Sequence, residues 1–95
     1  MASSVVAFEK FERWKNSRTV LTFTVLTNEG AVEHIWTGRI ISVVPEMSRV
    51  GFVDDVTRDG AEFVFLDASF RMEGRTVEVS RLELGVVRIE EVLVM

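Results

Sequence analysis

The sequence has no cysteine and no tyrosine, and it contains a single histidine, His34, and a single proline, Pro45. The absence of cysteine excludes a disulfide framework and any thiolate metal site. Because only one histidine is present, the side chains that usually serve as general bases or nucleophiles are scarce. We therefore expect a protein without enzymatic activity, bound metal or cofactor.

The chain also lacks a long apolar run. No stretch approaches the eighteen or so residues of a membrane span, and a charge pair, Glu9 and Lys10, interrupts the N-terminal region before a signal peptide is formed. We expect no membrane association and a cytoplasmic location. The 95 residues, of which 47% are hydrophobic and 27% charged, predict one globular domain over residues 1–95.

The first segment is predicted to form an amphipathic helix over residues 4–16. Ala7, Phe8, Phe11 and Trp14 recur at the spacing that places them on one buried face. Ser3 or Ser4 is the expected N-terminal cap. The rest of the chain, residues 18–95, is rich in β-type runs, so we predict a mainly β fold preceded by this helix.

Charge is divided unevenly along the chain. Residues 1–18 hold four basic and two acidic residues, a net charge of +2, whereas residues 19–95 hold seven basic and thirteen acidic residues, a net charge of −6. Arg13, Lys15 and Arg18 surround Trp14, a combination that suits phosphate contact with base stacking. Trp14 also lies on the apolar helix face, and we expect it to pack in the core.

A strand is predicted over residues 19–27, where Leu21, Phe23 and Val25 alternate with threonines. A turn signal at 28–30 predicts a hairpin with a long second strand over 32–44. The alternation of apolar and polar residues in this strand is interrupted near Gly38, which predicts a bulge or a sharp bend there. Further strands are expected over 47–54, 61–66 and 76–80, and two apolar pieces, 86–89 and 92–95, flank a pair of glutamates.

Two segments of this pattern resemble motifs of the Sm-like proteins. Gly38, Ile40, Val44 and the Met47–Ser48 pair are similar to the first Sm motif, and Val86-Val-Arg-Ile89 is similar to the aliphatic-Arg core of the second. The resemblance implies a strongly bent, five-stranded antiparallel barrel of the SH3-like or Sm-like kind. Val44, Ser48 and Ile89 replace the aspartate, asparagine and glycine of the family pattern, so only Arg88 carries over as an RNA contact.

The end of the sequence adds a prediction about assembly. Val92 and Val94 belong to an apolar β run without a charged residue that would protect an exposed strand edge. In Sm-like proteins neighbouring subunits cover such edges by strand pairing. We therefore expect a homo-oligomer with its contact at Val92 and Val94.

Two functional hypotheses follow. The first is a non-enzymatic, oligomerising scaffold or protein-interaction module. The alternative is an Sm-like RNA-binding protein with an altered nucleotide pocket, whose candidate contacts are Arg13, Lys15, Arg18 and Arg88. For His34 we expect a surface position and no ligand role, and we interpret Asp54, Asp55 and Asp59 as a solvated turn and not as a calcium loop.

Overall fold

A computed structural model describes residues 3–92, and these form one helix and seven β-strands. The elements, in chain order, are α1 (Ser4–Ser17), β1 (Leu21–Leu26), β2 (Val32–Val44), a short 3₁₀ helix (Pro45–Met47), β3 (Arg49–Asp54), β4 (Gly60–Val64), β5 (Ser69–Glu73), β6 (Thr76–Arg81) and β7 (Gly85–Glu91). The mainly β composition and the N-terminal helix are therefore confirmed.

The strands form one open antiparallel sheet in the order β4-β3-β2-β1-β7-β6-β5. The prediction of five strands was wrong. The strand predicted over 76–80 is β6, and the additional strand β5 pairs with it in a hairpin whose two-residue turn contains Gly74 at φ 59°. The sequence over 67–75 combines a turn-like start with a short alternation, and for this reason β5 was not predicted.

The sheet curls because its two outermost strands are consecutive in the chain. In a flat sheet of seven strands, β4 and β5 would lie about 29 Å apart. Residues 65–68, which join them, span at most about 18 Å. The chain therefore brings the two edges towards each other, and the overall dimensions of 31 × 28 × 25 Å are correspondingly even.

Aromatic side chains fill the inside of the curl. Phe23 stacks on Phe52 at 4.4 Å between ring centroids, and Phe63 continues the stack at 5.2 Å from Phe52. Helix α1 adds Phe8 and other residues of its apolar face, which are buried as predicted: Ala7, Phe8, Phe11 and Trp14. Ser3 caps the helix by accepting a hydrogen bond from the Val6 N–H.

Strand β2 is irregular near Gly38, but not at Gly38. The register against β3 shifts between Ile40 and Ser42, which makes Ile41 the bulged residue. Gly38 itself pairs regularly with Leu21 on one side and Asp54 on the other. The strand ends at Val44, as predicted, and Pro45 opens the 3₁₀ helix that follows it.

Candidate functional site

The four basic residues predicted to contact nucleic acid lie on three separate surfaces. Lys15 and Arg18 line one pocket at the C-terminal end of α1. Arg13 lines a different, mainly apolar groove beside Pro45. Arg88 lies on the outward face of β7, across the sheet from both. The structure therefore brings together only two of the four.

Arg88 forms part of a row of charged side chains across three strands. Its β6 neighbour is Glu78, and the neighbour of Glu78 on β5 is Arg71. The Arg88 Nε atom lies 3.3 Å from Glu78 Oε2, so its charge is already paired. These residues border a cleft of about 400 Å³.

The charged side chains of this cleft are acidic on balance. Two arginines and three glutamates line it, a net charge of −1, together with Thr76. A phosphate backbone would meet repulsion here, because its own charge has the same sign as that of the cleft. The cleft around Arg88 is therefore a poor surface for RNA.

The same outward face becomes apolar towards the turns that connect β1 to β2 and β6 to β7. Val32, Leu26 and Val86 lie side by side across β2, β1 and β7, and Ile35 lies on the same face one row further along. The β6–β7 turn adds two leucines at this end of the sheet. We call these residues the turn-side patch: Leu26, Val32, Ile35, Leu82, Leu84 and Val86.

Most members of the turn-side patch are exposed to solvent. The exposed fraction is 58% for Val32, 60% for Ile35, 67% for Leu84 and 82% for Leu82. Full burial of one such side chain contributes about 1.5–3 kcal/mol to the free energy of folding or binding. Several exposed side chains of this kind therefore represent a substantial free energy that a binding partner could gain by covering them. Isolated exposed aliphatics are ordinary, whereas a contiguous patch is typical of an interaction surface.

Sequence reasoning did not identify this patch. The sequence placed Val32 and Ile35 in a strand but did not indicate which face of the sheet they occupy. A bulge near Leu26 decides which residues share a side, and the alternation of residue types does not reveal it. One signal was present: Leu82 and Leu84 are large aliphatics within the polar stretch Arg-Leu-Glu-Leu-Gly, which forms a turn. Turn residues are usually small or polar, so these leucines were an indication of contact.

The predicted oligomer edge at Val92 is not an edge in the described part of the chain. Strand β7 is paired with β1 on one side and with β6 on the other. The Val92 N–H continues this pairing by donating to the Val20 carbonyl oxygen at 3.0 Å. Val94 lies outside the described residues. Within residues 3–92 the sheet edges are instead β4 and β5.

The aspartates at the β3–β4 connection form a turn. Asp54 is buried, and its Oδ1 accepts the backbone N–H groups of Val56 at 2.7 Å and Thr57 at 2.9 Å. The hydrogen bond from Thr57, followed by that from Val56, lowers the pKa of Asp54 below its ordinary value. Asp55 pairs with Arg39 at 3.2 Å, which connects the turn to β2.

His34 is exposed and stacks on Trp36, with 4.8 Å between the ring centroids and an interplanar angle of 7°. Trp36 in turn packs against Phe52, which connects the histidine to the core. Among residues 3–92, no three His, Asp or Glu side chains are grouped closely enough to hold a metal ion.

Comparison with models of protein families, with curated proteins and with solved structures finds no match to this chain. Within residues 3–92, α1 is the one α-helix, and it is neither long nor apolar enough to cross a membrane.

Proposed function

We propose that this chain is a non-enzymatic module that self-associates through the turn-side patch. The observation that carries the proposal is that Val32 and Ile35 are exposed on the outward face of the sheet, and Leu82 and Leu84 are exposed in the β6–β7 turn at the same end. Association removes these side chains from water, which is the main favourable term in most protein–protein contacts.

A second copy of the chain is the partner that we propose. A twofold axis through the patch places apolar surface against apolar surface, and such an interface is self-complementary by symmetry. The paired charges of Arg88 and Glu78 then lie at the rim, where they stay hydrated. The contact uses the outward face of the sheet and does not require strand pairing at Val92.

We also propose that the β5–β6 hairpin is an addition to a five-stranded plan. Without it, strands β4, β3, β2, β1 and β7 remain contiguous and follow one helix, which agrees with the helix and the number of strands expected for an SH3-like or Sm-like barrel. The hairpin pairs with β7 and so occupies the edge that Val92 was expected to offer. Assembly through the sheet face is compatible with that arrangement.

We do not extend the proposal to RNA. Glu78 pairs with Arg88, the surrounding cleft carries net negative charge, and Arg13 lies on a different surface from Lys15 and Arg18. Non-specific RNA binding requires a continuous positive track along the phosphate backbone.

The test is the absolute mass in solution, measured by light scattering behind a sizing column over a tenfold range of protein concentration. We expect a species heavier than the 10.8 kDa chain. The double variant Val32→Thr, Ile35→Thr keeps β-branched side chains in the strand but makes the patch more polar, and it should shift the population to monomer.

The matched control is Val56→Thr, because Val56 is 85% exposed in the β3–β4 turn, away from the patch. This variant should assemble as the unaltered chain does. A mass of 10.8 kDa for the unaltered chain at every concentration would contradict the proposal, as would equal assembly of the patch variant and the control.

A further inference from the structure

A pocket beside the C-terminal end of α1 gathers three basic residues from two distant parts of the chain. Lys15 and Arg18 come from the helix end, and Arg39 comes from β2. The cavity has a volume of about 330 Å³ and is completed by Ile40, Ile41 and Val53. We call it the basic pocket.

Local backbone geometry creates this pocket. Arg18 is the C-terminal cap of helix α1; it adopts the left-handed conformation at φ 54° and turns the chain away from the helix axis. The bulge in β2 makes Ile41 an extra residue between the paired residues Ile40 and Ser42, and its side chain is 57% exposed. Arg39 lies opposite Val53 across β2 and β3.

Acidic neighbours neutralise the basic pocket only in part. Arg39 Nη2 lies 3.2 Å from Asp55 Oδ1, and Lys15 Nζ lies 3.7 Å from Glu12 Oε2. Among the residues that the structure describes, no carboxylate lies within 4.0 Å of the Arg18 side-chain nitrogens. The five groups sum to +1 on a chain whose net charge is −4.

The helix end explains part of this charge. Cations are favoured at a helix C-terminus because the last carbonyl oxygens are partly negative, and this accounts for Lys15 and Arg18. Two of those carbonyls already accept backbone hydrogen bonds: the Arg18 N–H donates to the Lys15 oxygen at 3.2 Å and the Thr19 N–H to the Trp14 oxygen at 3.1 Å. The helix does not explain the third cation, Arg39, which belongs to the sheet.

We propose that the basic pocket binds a small organic phosphate monoester. Arginine and lysine donors hold the phosphate group, and the exposed side chain of Ile41 with Val53 contacts the apolar part of the ligand. The net charge of +1 attracts the phosphate dianion: Arg18 supplies a cation without a carboxylate partner, and Lys15 and Arg39 keep further N–H donors besides those that face Glu12 and Asp55. The volume is at the small end of the range for ligand sites, which suits a ligand of this size.

A monoester fits the surroundings better than a nucleic acid does. Each phosphodiester brings a single charge, and a strand must follow several basic groups in sequence. The basic pocket is one isolated positive site on an acidic chain, so successive phosphates of a strand would leave it and meet repulsion.

The experiment titrates phenyl phosphate into the ¹⁵N-labelled full chain at low ionic strength and follows the amide signals of Ile41 and Val53 and the Arg39 Nε–Hε signal. Parallel titrations use inorganic phosphate and a uridine hexanucleotide. We expect saturable shifts confined to the basic pocket, with phenyl phosphate binding more tightly than inorganic phosphate because only the ester contacts the apolar wall.

Arg18→Gln removes the cation without a carboxylate partner and should weaken phenyl phosphate binding about five- to tenfold, which is the scale of one charge-assisted contact at a partly exposed site. The matched control is Arg75→Gln, because Arg75 is also exposed but lies in the β5–β6 turn. This variant should bind as the unaltered chain does. Amide signal dispersion shows whether each variant is folded.

Three outcomes would overturn the proposal. The first is the absence of saturable shifts with phenyl phosphate up to about 10 mM, where even a weak specific site is filled. The second is equal binding by the folded Arg18→Gln and Arg75→Gln variants. The third is tighter binding of the hexanucleotide than of phenyl phosphate, which would assign the pocket to nucleic acid.

Discussion

Gly38 lies so close to Val53 across the β2–β3 pair that a Cβ atom at residue 38 would overlap the Val53 carbonyl oxygen. The backbones of the two strands can approach only because residue 38 has no side chain. This contact explains why glycine stands within a strand that is otherwise rich in β-branched and aromatic residues.

Gly38→Ala should therefore destabilise the protein by about 2 kcal/mol or more, because the added methyl group forces the strands apart in a packed region. Urea unfolding followed by circular dichroism measures the change in the free energy of unfolding. Gly60→Ala is the control, since a Cβ at residue 60 would lie 3.4 Å from the Phe52 oxygen, an ordinary contact. Equal midpoints for the two variants would argue against the close approach at Gly38.

The lowered pKa of Asp54 predicts acid sensitivity. The folded protein binds a proton at Asp54 less readily than the unfolded chain does, because hydrogen bonds from the Thr57 and Val56 N–H groups stabilise the carboxylate. The contribution of Asp54 to stability is thus present above the ordinary pKa of 3.8 and is lost as the pH falls through the lowered value in the folded state.

Asp54→Asn tests this relationship. The variant should have a lower Tm than the unaltered chain at pH 7, and the difference should shrink as the pH falls below about 3.8, because the unaltered carboxyl group then becomes neutral too. Asp59→Asn is the control, since Asp59 is exposed and its main-chain contacts are kept. A Tm difference that stays constant with pH would show that charge is not the cause.

The left-handed conformation of Arg18 predicts a stabilising variant. A residue with a Cβ loses about 1–2 kcal/mol in this conformation, whereas glycine adopts it freely but loses more entropy on folding. Arg18→Gly should therefore raise the free energy of unfolding by about 0.5–1 kcal/mol. Thermal unfolding measures the change.

Arg18 has two roles, as the left-handed residue after α1 and as a cation of the basic pocket. Arg18→Gly separates them if its stability is unchanged or higher while its binding of phenyl phosphate is lost, because the backbone strain is relieved and the pocket loses a cation. Arg18→Ala, which removes the same charge but keeps a Cβ in the left-handed conformation, should not be stabilised. A lower stability for Arg18→Gly than for Arg18→Ala would contradict the strain argument.

The parts of the fold that depend on near neighbours in the chain were predictable. The apolar spacing of Ala7, Phe8, Phe11 and Trp14 specifies helix α1 and its buried face, and Pro45 specifies the end of β2. The first hairpin follows from alternation and from the turn residues between β1 and β2. Each of these signals acts over a few residues.

The tertiary structure decided the surfaces. A bulge in β2 fixed which side Ile41 faces, and the curl of the sheet brought Arg39 beside the end of α1. Pairing of β7 with both β1 and β6 covered the edge expected at Val92. These outcomes depend on register and on contacts between residues far apart in the chain, which local periodicity does not encode. The sequence by itself determined helix α1 with its buried face and the first hairpin, whereas long-range pairing determined which charged and apolar side chains meet on the outside.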